Sequence, residues 1–382
     1  MRIAFYASLK PPDHPTPSGD RRMARLLLAA LREAGHEPEL ASRFRSYDGA
    51  GNPQRQMRLA AVGLGLAKRL ARQLAARPFE GRPRVWITYH LYYKAPDWLG
   101  PRVASALGIP YVLVEASFAA KRAGGLWSTN HAAVEAALGR AAAIVSMHES
   151  DEAGVAPVAA HPGRLHRLKP FLDPAPFVAA VRARGVARRA LAQAAGLSES
   201  EPWLIAIGMM RPGDKLASYS VLGRALQQCL DRPWRLIVVG DGAARAEVHA
   251  ALAPLGDRVV HRGLVPEAEM PGLIACADLC VWPAINEAYG MALLEAHAAA
   301  VPVVAGDSGG VSEIVRDGRT GWLVPPGDAD AFAAAVNDAL SDTGRLRARG
   351  TAAWAKVGAE HNLAGAGAQL DRVLNAALRG VP

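Results

Sequence analysis

The chain has 382 residues, 51% of them hydrophobic and 21% charged, with three cysteines and a formal net charge of +9. That length predicts two domains rather than one core; three cysteines make neither a disulfide framework nor a zinc set, so buried free thiols in a reducing compartment are expected, and no apolar run is long enough for a transmembrane helix. Residues 1–175 carry 24 Lys and Arg against 14 Asp and Glu, and the remainder 20 against 21, a basic first half that suits an anionic partner or is simply an arginine-rich surface.

In chain order, RIAFYA (Arg2–Ala7) is too short for a signal-peptide core and reads as a first buried strand. EPELAS, RVWITY, PYVLVEA, AAIVSM and RLHRLK read as further strands, with helices expected over 19–34, 53–77 and 95–107. In the second of these helices Leu59, Val62, Leu66 and Leu70 fall on one side and Arg58, Lys68, Arg69 and Arg72 on another. That pattern suits a helix lying on an anionic bilayer and equally one packed on a core. KPFLDPAPF (Lys169–Phe177) breaks the rhythm as a linker. PWLIAIG, WRLIVVG, DRVVHRG, DLCVWP, PVVAG and TGWLVP then restart it, each followed by a helical pattern, and the stretch from Leu363 reads as one amphipathic helix without an assigned partner. The alternation predicts an α/β protein with parallel sheets: Rossmann-like domains over 1–172 and 173–362, then helix 363–382.

Ligands of such sheets bind beyond the carboxyl ends of the strands, so the loops there hold the candidates. NEAYGMALLEA (Asn286–Ala296) follows DLCVWP. Gly290 opens a helix whose free N–H groups and partial positive charge suit a phosphate. Six residues of helix rise about 9 Å, setting Glu295 deeper than Glu287 by roughly the span of a diphosphate between two sugars. One carboxylate then suits a ribose diol and the other hexose hydroxyls, the alternative for Glu295 being a structural ion pair. Arg211 and Lys215, on the loop and helix start after PWLIAIG, are placed to clamp a diphosphate or to form a solvated basic turn. Gly240 and Asp241 lie at another strand-to-helix turn, where Asp241 also reads as a helix cap. Asp328 and Asp330 form an Asp-x-Asp, but they open an Ala-rich helix and read as capping residues, not metal ligands. In the first half Gly19, with Ser18, Asp20 and Arg21 beside it, follows the first strand. His90 and Lys94 occupy the loop after RVWITY. Glu115 ends an apolar strand and faces either a cleft or a buried partner. Lys121 and Arg122 follow it, and His148 reads as a surface or helix-entry residue.

The stretch Glu287–Ala296 resembles the Glu-x7-Glu motif of retaining family-4 glycosyltransferases of the GT-B fold, usually Glu-Gly-Phe-Gly-x4-Glu-Ala. Glu287, Gly290 and Glu295 match; Ala288 and Tyr289 depart. VPVVAGDSGGVSEIVRDGRTGWLVPPGD resembles the block that follows in the family. The likeness is dense over 200–340 and only architectural before 175. It implies two facing Rossmann-like domains with a cleft between them. It further implies that Glu287 contacts donor-sugar hydroxyls, that Glu295 holds the ribose, and that the Gly290 and Met291 amides meet sugar or diphosphate. Lys215 carries over directly; Arg211 stands in for an arginine displaced here by Met209, and Leu216 replaces a glycine. Gly240, Asp241, Leu264 and Val265 are expected to line the nucleobase pocket, and Gly19 to pass beside the donor phosphates. Glu115 occupies the neighbourhood where many members have a donor-touching histidine. His90, Lys94 and Lys121 are the acceptor-side candidates.

The expected activity is transfer of a hexose-type sugar, with retention, from a nucleotide-diphosphate sugar to a lipid-linked or membrane-proximal saccharide acceptor. No cofactor and no metal are expected. A cytoplasmic place is expected, with the inner face of a membrane open to it, and no nucleic-acid partner is expected because no recognition motif is evident. The alternatives are a sugar-nucleotide 2-epimerase or phosphorylase of the same fold, and a non-catalytic nucleotide-sugar-binding homologue; the missing histidine near Glu115 and the arginine displaced by Met209 favour the last, and the Glu287–Glu295 pair opposes it.

Overall fold

The computed structural model describes the chain except Pro17, His148, Ala160, Val381 and Pro382 and the side chains of Glu149 and Ser150. The candidate His148 therefore lies outside the described residues. The chain divides into two compact units, Met1–Lys169 with Leu363–Pro382, and Pro170–Asn362.

The first unit runs β1 (Arg2–Ala7), α1 (Gly19–Glu33), β2 (Glu37–Ser42), α2 (Pro53–Ala75), β3 (Val85–Leu91), α3 (Gly100–Leu107), β4 (Tyr111–Ala116), α4 (Ser128–Arg140), β5 (Ala143–Ser146), α5 (Glu149–Val155) and β6 (Leu165–Arg167). Its six strands are parallel in the order β2-β1-β3-β4-β5-β6. β1, β3 and β4 are buried almost throughout. Helices cover both faces of such a sheet, which is why these strands read as apolar runs and not as alternations.

Two helices differ from the sequence expectation. α3 starts at Gly100, not at residue 95, because buried Asp97 accepts hydrogen bonds from Leu99 N and Gly100 N, both at 2.8 Å, and holds the approach as a turn. α2 buries Gln56, Gly63, Ala67 and Leu74, not the stripe through Leu59 and Val62. Small residues decide its seat: a methyl at Gly63 would overlap Trp98, so the helix lies close there and Val62 and Met57 are left about half exposed.

The second unit runs α6 (Ala175–Ala195), β7 (Trp203–Ile207), α7 (Asp214–Gln227), β8 (Arg235–Val239), α8 (Arg245–Leu252), β9 (Val259–Gly263), α9 (Met270–Ala275), β10 (Leu279–Trp282), α10 (Met291–Ala298), β11 (Val303–Gly306), α11 (Val311–Ile314), β12 (Gly321–Val324), α12 (Ala329–Ser341) and α13 (Thr343–Glu360). Its strands are parallel in the order β12-β11-β10-β7-β8-β9. Asp328 caps α12 by accepting from Asp330 N and Ala331 N. The start and end of this unit are tied together: Leu172 N donates to His361 O, and His361 Nδ1 lies 2.6 Å from Pro170 O while its Nε2 lies 2.6 Å from Lys356 Nζ. An ammonium only donates and a carbonyl only accepts, so Nδ1 carries the imidazole proton.

The last helix, α14 (Leu363–Arg379), belongs to the first unit and packs along α1. Its buried residues Ala366, Leu370, Val373, Leu374 and Ala377 recur at helical spacing, and burial of each larger side chain stabilises the seat by about 2 kcal/mol.

Candidate functional site

The order of the second sheet reverses between β7 and β10, the switch point at which open α/β sheets form a ligand crevice. Lys215 lies in the first turn of α7, Trp282 ends β10, and Glu287 lies on the loop after it. Glu287 Oε2 accepts from Lys215 Nζ at 2.5 Å and from Trp282 Nε1 at 3.0 Å, and the ammonium stands 5.2 Å from the Trp282 ring. The two side chains are 33% and 16% exposed, so the pair is poorly screened yet reachable from solvent.

Backbone strain sets the carboxylate there. Ala284 (φ +53°) and Asn286 (φ +50°) adopt the left-handed conformation that non-glycine residues rarely take. The loop is held to α7 by Ile285 N donating to Ser218 Oγ at 3.1 Å and Asn286 Nδ2 donating to Asp214 Oδ2 at 2.9 Å. Gly290 (φ +69°) is the N-cap of α10 and has no side chain to cap it. Met291 N and Ala292 N, in the first turn, therefore have no intrahelical partner. Glu295 is deeper in the same helix and only 4% exposed; burial, and then this carboxylate, push the Cys280 thiol up to about 12. Arg211 is exposed, leans on Met209 Sδ and forms no ion pair among the described residues.

The exits of β7, β8 and β9 are laced beside this point. Gly208 N donates to Val239 O, and Gly240 N to Gly263 O. A Cβ at Gly240 (φ +143°) would overlap the Gly208 carbonyl, so only glycine lets the two turns approach. Asp241 accepts from Gly242 N at 2.8 Å and stands 3.7 Å from Arg245. It does not cap α8: Met210 N donates to Asp241 O and Ala244 N to Met210 O, which holds the turn open and delays the helix to Arg245. Leu264 is 78% exposed and Val265 is packed against the core. Sequence reading missed Trp282 and the anchors Asp214 and Ser218. Trp282 passed as a core residue at a strand end, although a buried indole N–H calls for an acceptor.

In the first unit the switch point lies between β1 and β3, and the structure gathers Asp20, His90 and Glu115 there. His90 is not in the loop after β3 but inside the strand, with φ +59°. Glu115 in β4 also has φ +59°. The two lie across from each other, between the pairs Tyr89–Val114 and Leu91–Ala116. His90 Nδ1 is 2.9 Å from Asp20 Oδ1 and 3.9 Å from Glu115 Oε1. Burial alone would lower the His90 pKa; the Glu115 charge, the Asp20 contact and the Asp151 charge outweigh it and raise the pKa. Burial likewise pushes Asp20 up, and His90 reverses that, leaving its carboxyl below the ordinary value. Glu115 thus faces His90, whose side chain is 21% exposed. Gly19 opens α1, with Ser18 capping it by accepting from Arg21 N, and a methyl at Gly19 would meet nothing within 4 Å. Lys94 lies against the rings of Tyr93 and Trp127, and Lys121 is exposed on a turn at Ala120–Arg122.

Two parallel six-stranded sheets, each with ligand-ready groups at its switch point, define the GT-B class of α/β proteins. HepE of Anabaena, solved with UDP and glucose, superposes with a TM-score of 0.71 at 17% identity, covering 98% of this chain and 100% of its own. Residues 201–342 match the family described as Glycosyl transferases group 1. Among similar proteins, the D-inositol 3-phosphate glycosyltransferase of Nocardia farcinica is 33% identical over 171 residues, 42% of this chain and 37% of that one. The GDP-mannose-dependent alpha-(1-6)-phosphatidylinositol monomannoside mannosyltransferase of Mycolicibacterium smegmatis is 39% identical over 131 residues, 31% of this chain and 34% of its own. The chain thus spans little more than a third of the length of these two relatives.

Proposed function

We propose that the protein is a retaining glycosyltransferase that moves a hexose-type sugar from a nucleotide-diphosphate sugar to a lipid-linked or membrane-proximal acceptor without a metal. The observation that carries this reading is the Lys215–Glu287–Trp282 cluster beside the uncapped start of α10, with Glu295 buried deeper in that helix. Leaving-group departure builds charge on the diphosphate. Lys215, Arg211 and the first-turn N–H groups of α10 supply positive potential for it. Glu287 accepts from the sugar hydroxyls and Glu295 from the ribose. The acceptor oxygen attacks the anomeric carbon on the face the diphosphate leaves, and the departing phosphate oxygen takes the acceptor proton, so no enzyme nucleophile is required. Gly240, Asp241, Leu264 and Val265 line the base side; Gly19, Glu115, His90, Lys94 and Lys121 serve from the first unit.

The basic exposed face of α2, with Arg58, Lys68, Arg69 and Arg72 beside half-exposed Met57 and Val62, supports peripheral contact with an anionic membrane on the cytoplasmic side. No helix among the described residues is long and apolar enough to cross a membrane.

The test is thermal-shift screening against nucleotide sugars and free nucleotides, then turnover of the best donor by wild type, Glu287→Gln and Glu295→Gln. Donor stabilisation with turnover lost in both variants supports the reading. Tight nucleotide binding without turnover identifies a non-catalytic homologue, and acceptor-free conversion of the sugar identifies an epimerase.

A further inference from the structure

Three helices of the first unit are one-sidedly basic. α2 packs on both α3 and α4. Together they carry seven Lys and Arg, five in α2 and one each in α3 and α4, against a single carboxylate, Glu135. Two cavities lie among them. The larger, of about 350 Å³, is lined by Lys68, Arg102 and Arg140 beside Ala67, Ala71 and Ala106. The smaller, of about 160 Å³, is lined by Leu64, Trp98, Ala133 and Ala137, and again by Arg102 and Arg140. The two shared arginines make the cavities neighbours. The space has a local cause: these helix faces meet largely through alanines, whose methyl groups leave a gap that longer side chains would fill.

No carboxylate answers these cations. Among the described residues Lys68, Arg102 and Arg140 form neither an ion pair nor a side-chain hydrogen bond. Asp97 borders the smaller cavity, but it is 3% exposed, and its oxygens accept from Thr88 Oγ1, Leu99 N, Gly100 N and Tyr111 OH. Its charge is therefore turned into the fold. Three like charges around one void repel one another. An anion between them removes that repulsion and gains charge-assisted hydrogen bonds, and the three terminal oxygens of a phosphate monoester match donors that come from three helices. The smaller cavity, with Leu64, Trp98 and alanines in its wall, suits an apolar body attached to that head. Ser105 and Ala106 stand just before β4 and Arg140 just before β5. The cavities thus lie towards the amino ends of these strands, away from the switch-point groups Asp20, His90 and Glu115.

We propose that Lys68, Arg102 and Arg140 form a second ligand site, which takes a phosphate monoester on an apolar body. The phosphate fills the larger cavity and the apolar part enters the smaller one. The ligand is either free in solution or the head of a lipid. The site goes beyond sugar transfer and does not rest on it.

The test titrates the full chain by calorimetry with phenyl phosphate, inorganic phosphate and phenol, and measures its sedimentation with phosphatidylcholine vesicles that carry phosphatidate or, at matched charge, phosphatidylglycerol. Phenyl phosphate is expected to bind at least roughly ten-fold more tightly than inorganic phosphate, and phenol not measurably. Arg102→Gln and Arg140→Gln each remove an exposed, unpaired cation; each should weaken phenyl phosphate at least roughly ten-fold and leave Tm unchanged. Ala136→Leu narrows the smaller cavity without altering charge and should bring phenyl phosphate down to the affinity of inorganic phosphate. Arginine-dependent binding of phenyl phosphate identifies a soluble ligand. Arginine-dependent binding confined to phosphatidate vesicles, above those with phosphatidylglycerol, identifies a lipid. Either supports the proposal. Binding that follows charge alone, with inorganic phosphate equal to phenyl phosphate and phosphatidylglycerol equal to phosphatidate, overturns it. So does binding by both arginine variants at the wild-type level, or no binding of any probe.

Discussion

Removal of Lys215 is the perturbation that reaches furthest into the site. In Lys215→Met the Glu287 carboxylate, 16% exposed, retains only the Trp282 N–H at 3.0 Å. A fully exposed ion pair contributes at most about 1 kcal/mol and breaking a fully buried one costs about 3–5; this pair lies between, so a loss of about 1–2 kcal/mol is expected. Glu287→Gln keeps an acceptor for Trp282 and should cost less than about 1 kcal/mol. In the double variant no charge is left unpaired, and its loss should fall short of the sum of the singles by about 1 kcal/mol. Urea unfolding of the three variants at neutral pH measures this. Turnover separates stability from chemistry: losing one cation at a departing diphosphate should lower the rate by about 10²–10³. Additivity of the two single variants within about 0.5 kcal/mol refutes the coupling. Turnover by Lys215→Met within about three-fold of wild type refutes the role at the leaving group.

Glu115→Gln removes a negative neighbour of His90 and should lower the imidazole pKa, read by NMR titration. Because the folded pKa of His90 is raised, its contribution to stability is complete below the ordinary value near 6.5 and fades as pH rises through the folded one; an unchanged pKa in the variant would remove Glu115 as the cause. Gly240→Ala, strained at φ +143° and overlapping Gly208 O, should cost about 3 kcal/mol or more. Gly19→Ala has open space and should change stability by less than about 1 kcal/mol, so a drop in its turnover would report a ligand contact. His297 is fully buried, and burial followed by the Lys356 and His361 charges pushes it down to about 3, against a smaller opposing contribution from the Thr320 backbone. The unfolded chain binds a proton near pH 6.5 that the folded one refuses. Stability should therefore fall by about 1.4 kcal/mol for each pH unit between about pH 6.5 and the folded value of about 3, and His297→Leu should flatten the slope in acid unfolding curves.

Much of this architecture was legible locally. The strands of both units stand out as short apolar runs because each sheet is covered on both faces, and Glu287, Gly290, Glu295 and Lys215 are marked by their spacing around strand ends. Other features were not local. The face of α2 follows from Gly63 meeting Trp98 across the fold, which periodicity weights as an absent side chain. The apolar run RVWITY ends at Tyr89, yet the strand continues through His90, a left-handed residue whose side chain stands beside Asp20 and Glu115 from other elements.

By itself the sequence determined which segments become strand or helix and where a carboxylate pair and a cation stand along the chain, since burial on two faces and helix-start chemistry are written in neighbouring residues. Only the tertiary structure decided that β7 lies beside β10 and β1 beside β3, and so which loops share a switch point. It also decided that Trp282 serves Glu287, and that Lys68, Arg102 and Arg140 line one cavity. Strand order and side-chain convergence are settled by contacts between residues tens of positions apart, and no local period records them.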